Sequence, residues 1–499
     1  MSDIKSSNSS EMFKSILTKT KTLQTLSQPT KLPKLSHKAT SLKTNILIVG
    51  GSFSGLAVLR LLQTNLQEHF NQARLSSGAS NDETAKRISI TLVEPRNGLL
   101  NILGIPKSIV DTEFAKTQYL PFNKLNHVRF NNIVSSEKPE VYADKENGES
   151  WYVDDAPKFP NVEVTFVQGT VTYLDDHKAE YVLNDTKDDT AEGSTATATA
   201  TAASAASAAN ETGSIDFDYV VMASGRDRNW PTTPSANTMD EYLQDMNKSR
   251  SMIENANIIS VVGAGAVGIE IAGDIKSRFP EKIVNLVHPH EVFPPEPLSL
   301  EFKRLIQDSI ERAGVNIYLN TRIDKTKSSD TGDLITTETG KAIPSEINFW
   351  CTAKHNNIAF LSPKIASKYV THGQINVNEY LQLQSQAAQG QSTNTTLTTT
   401  TVPNFFVLGD LVNLPIIKSA GWAMYMGRQT ANNITSLIFE DTLIEPLPNL
   451  KEMPRGMVLV GGQEEIVSEL AGEVSLNHEG YKKEYLDYCI GKIRATLDA

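Results

Sequence analysis

Ile258-Ile-Ser-Val-Val262-Gly263-Ala-Gly265-Ala-Val-Gly268-Ile-Glu270-Ile271 decides the fold of this chain. An apolar run of five residues enters a complete G-x-G-x-x-G turn. Val267, Ile271, Ile275 and Phe279 then recur every four residues, the spacing of an amphipathic helix. Strand, glycine turn and helix together form the phosphate-binding corner of a dinucleotide fold. Gly263 allows the tight turn, Gly265 lets backbone approach a pyrophosphate, and Gly268 lets helix and strand pack closely. The free N–H groups at the helix start attract the phosphate charge. The next apolar run, Ile283 to Val287, ends at His288, where an acid would favour NAD over NADP. His288 is no acid, so the sequence leaves NADH and NADPH open.

Working outward, a second turn of this kind lies upstream. Ile46 to Val49 enters Gly50-Gly51-Ser52-Phe53-Ser54-Gly55, with Ser52 at the middle glycine position, and Leu56, Leu59 and Leu62 mark the following helix. Ile88 to Val93 then ends in Glu94, which suits the ribose hydroxyls of an adenosine. Downstream, Asn404-Phe-Phe-Val-Leu-Gly409-Asp410 is an apolar strand closing in Gly-Asp. Lys418-Ser-Ala-Gly-Trp-Ala-Met-Tyr-Met-Gly427 reads as a helix beginning near Lys418. Strands alternating with helices predict an α/β class, with two Rossmann-like units and a small C-terminal α+β region. Two dinucleotide sites in one chain suggest a relay between a bound flavin and a diffusible nicotinamide.

The remaining sequence narrows the function. The net charge of −11 makes neither nucleic acid nor an anionic membrane a default partner. There are two cysteines, Cys351 and Cys489, which excludes a disulfide-built fold and a dithiol reductase with closely spaced thiols. No metal site is expected. No stretch of 18 apolar residues exists, so no spanning helix is expected, while peripheral membrane contact stays open. Residues 1–43 are rich in Lys, Ser and Thr and read as a disordered basic tail, with Met12, Phe13, Ile16, Leu17 and Leu23 able to share a helical face. The expected location is cytoplasmic, and the tail leaves a mitochondrial one open, although it lacks the Arg of a presequence. Thr186 to Thr212, Gln384 to Thr401 and a hydrophilic stretch from about Asn71 to Lys86 read as inserted surface loops.

Several stretches carry a family likeness. ILIVGGSFSGL, ITLVEPRNGLLNILG, TEFAKTQYLPF, VQGTVTYLDD, FDYVVMASG, ISVVGAGAVGIEIAGDI, FWCTAKHNN and FFVLGDLVNLPIIKSAGWAMYMG occur in order from residue 46 to about 435. The chain resembles the flavoproteins with two dinucleotide-binding domains, and within them the apoptosis-inducing-factor-like and ferroptosis-suppressor-type group. The resemblance implies FAD as cofactor and NADH or NADPH as co-substrate. It implies that Gly50, Gly51, Ser52, Gly55, Glu94, Val171, Ser224, Gly225, Gly409 and Asp410 hold FAD, Val171 through its backbone. It implies that Gly263, Gly265, Gly268 and Glu270 form the nicotinamide site. Lys418 is the candidate catalytic residue and a further flavin contact, favouring negative charge on the flavin. The sequence departs from the family at Ser52, at Ser224 for Thr, and at Ala353, where the second Thr-Gly turn has glycine. Methionine is not followed by glycine, so a myristoyl anchor is not expected.

The organisation expected is a tail over 1–43, an FAD-binding domain over 44–240 and 357–440, a NAD(P)-binding domain over 241–356, and a C-terminal region over 441–499. The expected activity passes reducing equivalents from nicotinamide to flavin and on to a small-molecule acceptor, with a quinone implied by the resemblance. Trp422, Met424, Tyr425 and Met426 either line an acceptor pocket or pack the core. The competing reading is a non-enzymatic redox-sensing flavoprotein acting through a protein partner. Oligomeric state is not legible. The C-terminal region is expected to hold a strand at Met457 to Val460, one helix from about Tyr481 to Leu497, and acids on a solvated face.

Overall fold

The apolar runs fall into two parallel sheets, as buried, near-continuous Val/Ile/Leu segments should. The computed structural model describes residues 30–31, 43–77, 86–125, 128–136, 161–184, 211–386, 399–453 and 455–497. The first stretch runs through β1 (Lys43–Val49), α1 (Phe53–Ser77), β2 (Arg87–Glu94), β3 (Asn132–Val134), β4 (Val162–Leu174), β5 (Lys178–Leu183), β6 (Thr212–Asp216) and β7 (Tyr219–Met222). The chain then crosses over through β8 (Arg226–Arg228). It builds α2 (Met239–Asn255), β9 (Ile258–Val262), α3 (Ala266–Arg278), β10 (Ile283–Val287), α4 (Leu300–Arg312), β11 (Asn316–Tyr318) and β12 (Ile347–Trp350). It returns through β13 (Ala353–Asn356) and adds β14 (Gln382–Gln384), β15 (Thr401–Val407) and α5 (Ala420–Glu440).

The larger sheet has the order β14-β15-β7-β1-β2-β4-β5-β6, with β3 paired to β4. Its centre, β15-β7-β1-β2-β4, is parallel. The smaller sheet, β11-β10-β9-β12, is parallel throughout. Leu47, Ile48, Val220, Val221 and Phe406 are sealed in the first core, and Ile259, Val261 and Leu286 in the second. Each sheet reverses strand order beside a glycine turn, at β1 and at β9, where open α/β sheets bind ligands. The fold is therefore α/β with two Rossmann-like units.

The C-terminal region is β16 (Gly456–Val460), β17 (Ile466–Leu470) and β18 (Glu473–Leu476), an antiparallel sheet. It docks on α3 and α4. Val460 N–H donates to Glu270 Oε1 at 3.3 Å, and Gly462 N–H to Ser309 Oγ at 3.1 Å. Its acids do more than face solvent. Glu469 is buried and accepts from the Ser299 N–H and hydroxyl at 2.9 and 2.7 Å.

Three boundaries differ from the sequence reading. The single C-terminal helix is two, α6 (Glu479–Tyr485) and α7 (Ile490–Leu497). Tyr488 and Cys489 between them have φ of 53° and 63°, a left-handed step that ends any α-helix. That step points the Tyr488 hydroxyl at Asp274, to which it donates, while Asn101 Nδ2 donates to the Tyr488 carbonyl at 2.9 Å. The insertion placed at Asn71 begins later, because α1 continues to Ser77. Within the stretch read as tail, Thr30–Lys31 pairs with Thr442 and Leu443, and Lys43 opens β1. The amphipathic positions of that tail, and the interiors of both low-complexity stretches, lie outside the described residues. The strand ends that flank those stretches are described. Val182 stands opposite Thr212, and Gln384 opposite Thr401, in antiparallel pairs.

Candidate functional site

The two glycine turns have the same construction. Gly50 has φ +102° and Gly263 φ +111°, a backbone that side chains rarely adopt. Each presses on the chain leaving the neighbouring strand. A Cβ would stand 2.5 Å from the Ala223 carbonyl oxygen at Gly50, and 2.9 Å from that of Cys351 at Gly263. The third glycines tolerate nothing larger. A Cβ on Gly55 or Gly268 would lie 1.8 Å from the carbonyl oxygen of Gly50 or Gly263, respectively. The middle position differs. A Cβ on Gly265 meets no atom within 4 Å, so this face is open. That openness explains how Ser52 occupies the matching place in the first turn. The N–H groups opening α1 and α3 stand over these faces, free of helical partners. The turns therefore fit two pyrophosphates.

At the ends of the second strands the parallel continues. Glu94 is buried, and its Oε2 accepts the Gly51 N–H at 2.7 Å while Oε1 accepts that of Arg96 at 3.1 Å. His288 takes the same place after β10, its Nδ1 accepting the Ala264 N–H at 3.2 Å. Burial, reinforced by neighbouring His290 and Lys303, pushes its imidazole down to about 4.

The crossover ribbon β8–β13 runs between the turns. Ser224 Oγ donates to the Asn357 carbonyl at 2.6 Å, and Asn357 N–H donates to that of Gly225 at 3.0 Å. The serine hydroxyl thus ties the crossover as a threonine would. Gly225 has φ +66° with open space where a Cβ would point. Ala353, at the departure from glycine, begins a strand paired with Arg228.

Around Asp410 the structure gathers three cations. Arg226 Nε lies 4.0 Å from Asp410 Oδ2. Arg228 and Lys418 both feel the Asp410 charge and that of Arg226. Sequence reasoning missed both arginines, which occupy no motif position, and Ser224-Gly-Arg-Asp-Arg228 offered only spacing as a signal. Lys418 stands one residue before the helix cap and is half-buried. Ser419 caps α5, accepting the Trp422 N–H, and Lys418 Nζ donates to the Val412 carbonyl at 2.5 Å. Burial lowers its ammonium to about 8, with Asp410 opposing and Arg226 reinforcing. Gly409, with φ +66°, turns the chain so that Asp410 faces this cluster.

The other expected residues are dispersed. Val171 is buried in β4 opposite Tyr181, beside an irregularity in the pairing that frees backbone groups. Glu270 lies on α3 one turn from Asp274. Burial raises its carboxyl well above the usual range, while the Val460 N–H opposes that shift. Met426 is sealed in the core, with Trp422 and Met424 packed against the same cluster. Tyr425 sits edge-on to Trp422 under the Arg428 guanidinium.

Residues 44–427 match the family model described as pyridine nucleotide-disulphide oxidoreductase. The chain belongs to this family. Among the curated relatives, Oxidoreductase OXR1 of Ajellomyces capsulatus is 24% identical over 82% of this chain and 77% of that protein. Apoptosis-inducing factor homolog A of Dictyostelium discoideum is 22% identical over 79% and 77%. Human ferroptosis suppressor protein 1 is 21% identical over 52% and 66%. Among solved structures, a NAD-dependent persulfide reductase from A. fulgidus shares the fold, with TM-score 0.52 and 18% identity over 85% of this chain and 63% of that one. Family membership implies an oxidoreductase using FAD and NAD(P)H. Despite the family name, Cys351 and Cys489 are not joined, and burial pushes both thiols up to about 12. Among the described residues, no helix is long and apolar enough to cross a membrane.

Proposed function

We propose that the chain is an FAD-dependent NAD(P)H oxidoreductase that passes electrons to a small-molecule acceptor of the quinone class. The observation that carries this reading is the pair of matched glycine turns joined by one ribbon, with net positive charge gathered at its flavin end. In this reading FAD is held by Gly50, Gly51, Ser52, Gly55, Glu94, Val171, Ser224, Gly225, Gly409 and Asp410, within 44–240 and 357–440. The nicotinamide dinucleotide is held by Gly263, Gly265, Gly268 and Glu270, within 241–356. Bound FAD would supply two-electron acceptance from the nicotinamide and onward release of those electrons.

The chain's own part is to position and to set the field. Helix starts and glycines place the phosphates, so both cofactors are oriented by rigid elements. Arg226, Arg228 and Lys418 outnumber Asp410 and Asp227 by one, so the pocket favours negative charge on whatever it holds. Two half-buried thiols with raised pKa are poor thiolate donors, which speaks against a disulphide acceptor. The resemblance to the apoptosis-inducing-factor-like group directs attention to a quinone.

The test is the visible spectrum of the purified full-length protein, recorded anaerobically before and after NADH or NADPH. A flavin band that bleaches, then returns on adding a short-chain quinone, is the expected result. Bleaching without turnover on any acceptor would favour the partner-binding sensor instead. For Lys418→Ala we expect bound FAD, flavin reduction slowed by about tenfold and a lower flavin midpoint potential. Unchanged stopped-flow rates and an unchanged potential would remove Lys418 from the mechanism.

A further inference from the structure

We infer that His288 makes the nicotinamide turn indifferent to a ribose 2′-phosphate, so that this chain takes NADPH and NADH alike. The inference rests on the reading of the Gly263 turn as the nicotinamide site. At the end of the second Rossmann strand, an acid binds the ribose 2′-hydroxyl and repels a 2′-phosphate. Here the position is His288, only 3% exposed. Its Nδ1 accepts the Ala264 N–H at 3.2 Å, so that nitrogen carries no proton and the ring is neutral with its proton on Nε2. Nε2 is buried and completes no hydrogen bond, and the Val292 backbone only partly opposes the fall in the imidazole's pKa.

The first turn provides an internal control. Glu94 makes the same bond to the residue after the first glycine, but brings a carboxylate with it. His288 preserves the bond and omits the charge. The charged groups nearby do not replace it. His290 stands 5.3 Å from His288, ring to ring. Lys303, on α4, lowers the pKa of both His288 and Glu296, so its charge is set against the Glu296 carboxyl. Neither repulsion nor a dedicated phosphate clamp follows from this set. A 2′-phosphate is therefore neither rejected nor required.

The experiment titrates the FAD-loaded full chain with NAD⁺ and NADP⁺, following flavin or tryptophan fluorescence. Binding of the fragments 5′-ADP and 2′,5′-ADP is measured beside it. The two dinucleotides should bind within about tenfold of each other. His288→Glu restores the carboxylate in the geometry Glu94 already shows. It should weaken NADP⁺ relative to NAD⁺ by about tenfold or more through repulsion of the 2′-phosphate. His288→Gln keeps an uncharged acceptor and should leave the ratio within about threefold of the original. A wild-type preference above about thirtyfold for either dinucleotide, or a ratio unmoved by His288→Glu, would overturn the inference. Failure of both dinucleotides to bind the native protein would instead overturn the functional reading on which it rests.

Discussion

Gly55→Val should purify colourless, whereas Gly268→Val should purify yellow and fail to bleach with NADH or NADPH. The contrast follows from one distance in two places. In each turn the new Cβ would lie 1.8 Å from a carbonyl oxygen of the first glycine, about half a normal contact. Carbonyl and helix must part, and the N–H groups that face the pyrophosphate move with the helix. At the first turn, that displacement removes the flavin. At the second, the larger sheet keeps the flavin, because the atoms a new Cβ meets at Gly268 belong to Gly263 and Cys351, both in the smaller unit. Loss of nicotinamide binding should exceed 100-fold, since close phosphate approach accounts for several kcal/mol. Measuring flavin content and NADH titration for both variants tests more than packing. If the colours came out reversed, the assignment of FAD to the first turn would be wrong.

The second large effect concerns Asp274 and the C-terminal region. Asp274 is 5% exposed and accepts a hydrogen bond from Tyr488, with Glu270 one turn away. Burial is the largest cause raising its carboxyl from 3.8 to about 7; the Tyr488 hydrogen bond and Lys107 act downward, and Glu464 upward. A folded-state value above the unfolded one stabilises the fold at low pH. Below about pH 4 the carboxyl is neutral in both states. Between about 4 and 7 only the unfolded chain ionises, and stability falls as pH rises. Above about 7 the loss is complete and amounts to a few kcal/mol.

Asp274→Asn keeps an acceptor for Tyr488 and removes the ionisation. Amide exchange in β16–β18 and α7 should slow by well over tenfold at pH 8, and by no more than about threefold at pH 4, where the carboxyl is largely neutral in both states. Faster exchange at pH 8 would mean that the ionised carboxylate is what holds the region. Tyr488→Phe, which strands the carboxyl without its donor, should quicken exchange at both pH values.

Legibility in the sequence followed how local the physics is. The strand Ile258 to Val262 and its glycine turn were readable, because periodicity and steric demand are written in neighbouring residues. Glu94 and Asp410 were readable as motif endings. Arg226 and Arg228 were not, since their relevance depends on a ribbon that brings them beside Asp410 from a different part of the chain. The break at Tyr488 and Cys489 was invisible for a similar reason. Neither residue signals a helix end, and a tertiary partner, Asp274, stabilises the left-handed step. His288 was readable as a departure from an acid, but its bond to Ala264 was not.

The two low-complexity stretches leave and re-enter the larger sheet at paired residues, Val182 opposite Thr212 and Gln384 opposite Thr401. Strand ends so placed are neighbours already, and lengthening the chain between them costs only about 0.6 kcal/mol per doubling. Both lie at the sheet's antiparallel margins, outside the parallel centre that carries the glycine turn. They are ports. A fluorescent or affinity module with adjacent termini, spliced at either one, would report on this flavoprotein without touching either glycine turn.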